Sequence, residues 1–160
     1  MHIGTLCYIR NDDKTLMLHR KKKTGEDIHD DLYVALGGKI EPGESPEECN
    51  IREVRQESGL LVKNSQLKGI LTFSNEGRSF DKIKTQPDWY VFVATEFTGK
   101  LKQKCKEGTL EWIATEDLPN LPMWEGDRLF LKWMDRLGIF SGKLRYKDNE
   151  LMDHKVTFYE

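Results

Sequence analysis

Residues 38–60 constrain this chain more than any other stretch. A loop running from Gly38 leads into a segment with every signal of a capped helix. Ser45 suits the N-cap, Pro46 the first helical position, and Glu48 completes an S-x-x-E capping box. Gly59 supplies a left-handed stop. Between these signals, Glu53, Gln56 and Glu57 are spaced to share one face of the helix. Ile51 and Val54 fall on other faces, where they can anchor the helix to a sheet. Grouping Glu53 and Glu57 is repulsive unless positive charge lies between them. A hard divalent cation such as Mg²⁺, or Mn²⁺ in its place, removes that repulsion. The competing reading is a solvated face with Arg52 and Arg55 as surface partners. The glycines and Glu44 at fixed spacing favour a metal centre.

The rest of the chain reads as strands with one further helix. Ile3 to Ile9 and Thr15 to His19 form two strands around the turn Asn11-Asp12-Asp13. A polar loop covers residues 22–31, and Tyr33 to Leu36 leads into Gly37-Gly38. Leu61 to Phe73, Trp89 to Thr95 and Leu110 to Ile113 read as extended, with a polar loop from Ser74 to Asp88. A second helix spans Gly126 to Leu137, where Leu129, Phe130, Trp133 and Leu137 suit core packing. Lys143 to Glu160 carries two alternating runs around Lys147-Asp148-Asn149-Glu150, a closing hairpin. A mixed sheet sandwiched by helices, α/β/α in one domain over residues 1–160, is the expected architecture.

Bulk properties narrow the function. The 160 residues are 38% hydrophobic and 32% charged, with no apolar run long enough for a membrane span. No export signal is visible. Cys7, Cys49 and Cys105 are odd in number and lack metal spacing, which suits reduced thiols in the cytoplasm. A net charge of −2 offers no global attraction for a nucleic acid polymer. Of the local basic groups, Arg20 to Lys23 are either a solvated turn or contacts for a triphosphate, and Lys100, Lys102, Lys104 and Lys106 read as the outer face of a strand. The four histidines lack ligand spacing and receive no catalytic role.

The 38–60 segment resembles the Nudix box of the Nudix (MutT-type) hydrolases; Gln56 alone departs, standing where a glutamate is expected. Six matches demand a single residue type, and with each residue at roughly 6% abundance chance would produce this on the order of once in 100,000 such chains. The resemblance implies the Nudix fold and water attack on a phosphorus of a nucleoside diphosphate linked to another group. It implies that Arg52 positions acidic side chains, with Glu44 beside it in the catalytic set. Glu53 and Glu57 would bind metal, and the Gly37 carbonyl would add a ligand. Gln56 can lend an amide oxygen but no charge. Glu107, five residues before Trp112 as a further metal-binding glutamate is in related enzymes, is the candidate to supply it. Its other reading is an exposed acid.

A second resemblance, through Pro122 to Asp127 and Lys155 to Glu160, is to the oxidised-purine nucleoside triphosphatases. It implies a small nucleotide such as 8-oxo-dGTP as substrate, cleaved to the monophosphate and pyrophosphate, with sanitation of the nucleotide pool as the role. Trp124 would stack on the purine or else plug the space between helix and sheet. Asp127 would accept base N–H groups or serve as an ordinary helix N-terminal acid. Thr5, Lys21, Leu36, Gly38 and Lys39 would line the nucleotide site. A base-reading asparagine of the mammalian pattern aligns with Val34 here, and one of its two adjacent aspartates with Gly126. Other nucleoside diphosphate derivatives (a nucleotide sugar, a dinucleotide or an RNA cap) and a weakened nucleotide-binding module remain open from sequence.

Overall fold

Alternation along the strands splits the hydrophobic residues into two cores. In the computed structural model, which describes residues 2–21, 31–76 and 88–160, β1 (Ile3–Asn11) sends Cys7 and Ile9 to one side of the sheet and Leu6 and Tyr8 to the other. β2 (Lys14–Arg20) does the same with Leu16 and Leu18 against Met17. Side chains of period two on a strand buried on both faces require a covering layer on each side.

The first cover is α1 (Pro46–Ser58). Ser45 accepts from the Glu48 N–H, Glu48 accepts from the Ser45 N–H, and Gly59 closes the helix at φ 81°. Cys49, Asn50, Val54 and Ser58 are its buried residues. Ile51 is 38% exposed, so the expectation that it anchors the helix is corrected. The anchoring stripe runs through Asn50, Val54 and Ser58 at helical spacing, and Ile51 lies about 100° round the axis from Asn50. The second cover is α2 (Glu125–Trp133), preceded by a 3₁₀ segment at Thr115–Asn120. Phe130 is buried with Leu118, Met123, Leu71 and Val91. The helix ends before Leu137, which is 82% exposed and not a core residue. The α/β/α sandwich is therefore present.

Among the described residues, ten strands form the main sheet. Besides β1 and β2 these are β3 (Tyr33–Val34), β4 (Leu36–Lys39), β6 (Ser65–Glu76), β7 (Asp88–Ala94), β9 (Lys104–Cys105), β10 (Gly108–Ala114), β11 (Ile139–Lys147) and β12 (Glu150–Tyr159). Their order is β12-β11-β6-β7-β1-β2-β10-β9, with β3 beside β2 and β4 beside β1. β5 (Leu61–Val62) and β8 (Phe97–Thr98) make a separate pair. Residues 74–76, expected in a loop, extend β6 instead, because they pair with β11. Asp88, its last expected residue, begins β7 instead, and residues 77–87 and most of the 22–31 loop with Lys22 and Lys23 lie outside the described residues. Of the Lys100 to Lys106 group, only Lys104 lies on a strand. β11 and β12 form the expected hairpin, longer than its sequence estimate. Asp148 and Asn149 turn it with φ of 50° and 69°, the geometry tight hairpins favour. Among the described residues no helix is long and apolar enough to cross a membrane.

One irregularity positions the site. β1 pairs with β2 only from Ile9 onward, and β4 occupies the same edge of β1 at residues 4–7. β3 pairs with β2 at Leu18 and His19. The two central strands thus splay apart, and the 33–39 segment wedges into the gap with Gly37 and Gly38 paired to Leu6 and Thr5.

Candidate active site

The wedge works because two of its residues lack side chains. A Cβ on Gly37 would fall 1.8 Å from the Thr5 carbonyl oxygen. On Gly38 it would fall 2.4 Å from Glu53 Cδ, so the Glu53 carboxylate occupies the space a side chain would take. The Gly37 N–H donates to Glu57 Oε1 at 2.8 Å. Glycine loop and helix thereby form one unit with both glutamates locked against the loop.

Arg52 organises the other side. Its Nε and a terminal nitrogen donate to the two oxygens of Glu44 at 2.7 and 2.9 Å, a two-point clasp that suits a planar guanidinium. It also donates to Glu53 at 2.8 Å and to the Lys39 carbonyl at 3.1 Å. The Arg52 clasp, with the Glu41 N–H donating to Glu44 Oε1, holds the Glu44 carboxyl down to about 2. The same carboxylates push the Arg52 guanidinium well above its usual range. Gln56 is exposed, with its amide oxygen 3.4 Å from Arg52.

Glu57 behaves oppositely. Burial raises its carboxyl to about 8; the Gly37 N–H and Arg20 oppose the rise, while Glu107 and Glu53 add to it. Glu107 lies in the turn between β9 and β10, and its carboxylate meets Glu57 and the Cys105 thiol, each presenting a ligand atom within 4.8 Å of the others. Glu107 is half-buried, not the exposed acid of its competing reading. Converging half-buried carboxylates that repel one another are the donor set a divalent cation suits.

From this centre a cavity of about 260 Å³ runs between the sheet and α2. Gly37, Glu57 and Arg20 line one end, and Trp124, Asp127 and Phe130 the other, with Val34, Phe73 and Trp89 among the walls. Asp127 is half-buried, and burial raises its carboxyl to about 7 against the pull of Arg128. Trp124 stands edge-on to Tyr146, ring centroids 5.4 Å apart. α2 has no side-chain cap at Trp124; the Tyr146 hydroxyl accepts the Gly126 N–H at 2.7 Å instead. A Cβ on Gly126 would lie 2.5 Å from that hydroxyl, which explains why a second aspartate has no room here. Arg128 ties down the approach to α2 by donating to the carbonyls of Pro119, Leu121 and Met123.

The structure brings some of the residues singled out from sequence to this cavity and places others away from it. Val34, Trp124 and Asp127 line the cavity, whereas Thr5 and Leu36 do not. Thr5 is fully buried behind the loop, its hydroxyl 3.3 Å from Cys49 Sγ. Leu36 points into the core beneath α1. Lys21 is exposed, and its neighbour Arg20 lines the cavity instead, because alternation turns one of the two inward. Lys39 is exposed as well and contributes its carbonyl to Arg52. Trp89 and Phe73 were read only as strand residues; nothing in their spacing announces a cavity that tertiary packing creates.

Comparison with known proteins settles the family. The NUDIX domain model matches residues 1–134. The chain belongs to the Nudix family. It is 35% identical over 154 residues to the uncharacterised Nudix hydrolase YvcI of Bacillus subtilis, covering 95% of this chain and 92% of that one. The crystal structure of the MutT protein from Bacillus halodurans superposes with a TM-score of 0.82 at 31% identity, covering 98% and 97% of the two chains. More distant relatives differ in substrate. An oxidized purine nucleoside triphosphate hydrolase of Danio rerio is 26% identical, covering 78% of this chain and 77% of its own. An NAD-capped RNA hydrolase NudC of Vibrio atlanticus is 30% identical, with only 37% of its length covered. The chain is a Nudix hydrolase acting on the pyrophosphate bond of a nucleoside diphosphate derivative.

Proposed function

We propose that this Nudix enzyme is a magnesium-dependent nucleoside triphosphate pyrophosphohydrolase whose substrate is an oxidised purine nucleotide such as 8-oxo-dGTP. One observation carries the reading: a single cavity joins the acidic centre at Glu57 to a recess holding Trp124 and Asp127. A triphosphate at the first end places its base at the second. The recess is largely apolar with few polar groups, as small-molecule sites are. Asp127 supplies acceptors for the N–H donors on a guanine edge, to which the 8-oxo form adds one at N7. Trp124 offers a ring for stacking, worth ~1–3 kcal/mol per base at comparable sites.

In this reading Glu53, Glu57 and Glu107 hold the magnesium, with the Gly37 carbonyl as a further ligand and Gln56 as a weak, uncharged one. Manganese can substitute. The ion neutralises phosphate charge and lowers the pKa of water. Arg52 and Glu44 keep the Glu53 carboxylate oriented, so the centre is assembled before substrate arrives. Arg20 lies at the phosphate end of the cavity. The partners are small nucleotides in the cytoplasm, and clearing the pool of mispairing precursors is the biological role.

Substrate profiling tests the reading. Products of 8-oxo-dGTP are expected to be its monophosphate and pyrophosphate, at much higher kcat/KM than for dGTP. Equal efficiency on the two rejects the sanitising role. Preference for a nucleotide sugar, a dinucleotide or capped RNA assigns the same centre to another substrate.

A further inference from the structure

A thiol sits among the oxygen ligands of this centre. Cys105 ends β9, Glu107 lies two residues on, and pairing of Gly108 with Cys105 closes the turn between them. That turn brings both side chains to Glu57 of α1, with Cys105 Sγ, a Glu107 oxygen and a Glu57 oxygen all within 4.8 Å of one another. All three residues are half-buried, so an ion reaches them but bulk water does not surround them. The other cysteines are placed differently: Cys7 lies fully buried in the core beneath α1, and Cys49 faces Thr5 and the Gly38 carbonyl.

We propose that Glu57, Cys105 and Glu107 form a three-ligand site for a thiophilic divalent cation of the zinc class, competing with magnesium for the two carboxylates. Magnesium is hard and gains little from sulfur, whereas a thiolate favours zinc or cadmium. Zinc prefers four ligands in a tetrahedron, so three from the protein leave one position for water or a phosphate oxygen. Binding releases the Cys105 thiol proton to solvent as the sulfur takes the metal. The identity of the ion at this corner is then set by Cys105, and zinc displaces magnesium from it. The inference rests on the acidic centre of the proposed enzyme but not on its substrate.

Cadmium titration of the metal-free protein provides the test, since cadmium thiolates absorb in the ultraviolet. One equivalent of Cd²⁺ is expected to raise a charge-transfer band that excess magnesium diminishes. Cys105→Ser is expected to abolish the band and weaken Cd²⁺ binding by about tenfold or more, the lower end of what even an outer-shell partner contributes. Glu107→Gln, which keeps the thiol, is expected to weaken Cd²⁺ binding while retaining the band at saturation. A band that survives Cys105→Ser, or a Cd²⁺ affinity that neither substitution moves, overturns the proposal. Failure to cleave 8-oxo-dGTP with the cadmium band intact rejects the substrate reading alone.

Discussion

Magnesium affinity is expected to depend steeply on pH because of Glu57. Its carboxyl is raised to about 8 by burial, with Glu107 and Glu53 adding to the effect. A cation requires the ionised form, so protons and metal compete. In the metal-free protein roughly one molecule in ten would hold Glu57 ionised at pH 7, and about one in a hundred at pH 6. Apparent Mg²⁺ affinity therefore falls about tenfold for each pH unit below 8, or ~1.4 kcal/mol per unit, and levels off above it. An ordinary glutamate near ~4.3 would leave the affinity flat over this range. Calorimetric titration in buffers of different ionisation enthalpy measures both affinity and proton release. Close to one proton per ion is expected near pH 7, and Glu57→Gln is expected to remove the slope. Affinity that does not change between pH 6 and pH 8, or a slope that persists in Glu57→Gln, would refute the reasoning. The same shift has a sign for stability. A carboxyl raised on folding contributes most below its unfolded value, and that contribution is lost as pH rises through about 8. Metal-free protein is thus expected to lose stability from this group toward alkaline pH, and saturating magnesium to restore it.

Further expectations follow from other contacts. Arg52→Lys keeps the charge but breaks the two-point clasp on Glu44, and a loss of about 1.5–3 kcal/mol, ~10–150-fold in kcat/KM, is expected in steady-state assays. Gln56→Glu adds a negative charge beside Arg52 and is expected to lower the magnesium activation midpoint; an unchanged midpoint rules out a role for that position. Gly126→Asp forces a Cβ to within 2.5 Å of the Tyr146 hydroxyl and is expected to destabilise by ~1–3 kcal/mol in denaturant unfolding. Ser45→Ala removes the α1 cap and is expected to lower stability by ~1 kcal/mol with kcat unchanged.

Local chemistry made part of this molecule legible in advance. The helix at 46–58 was readable because capping box, proline and stop glycine all lie within the segment they define. The closing hairpin was readable from Asp148 and Asn149, two residues that tolerate positive φ. Glu53 and Glu57 were readable because helical spacing alone brings them to one face. Groups that meet through register were not. Arg20 rather than Lys21 faces the cavity, and Trp89 reaches it, because of how β2 and β7 are paired and splayed. Leu137 was misread because its spacing continues the apolar stripe while the helix stops at Trp133. Ile51 was misread because apolar character was taken for burial, when small and polar Asn50 and Ser58 hold the inner stripe.

The shared NUDIX match stops at residue 134, yet Leu144 lines the recess and Tyr146 braces Trp124 and the start of α2. One wall of the cavity therefore comes from a hairpin beyond that match, its β11 strand laid parallel against β6. Exchange of that hairpin would reshape one wall while Glu57 stayed untouched, so on the proposed reading selectivity and chemistry diversify on separate stretches of the chain.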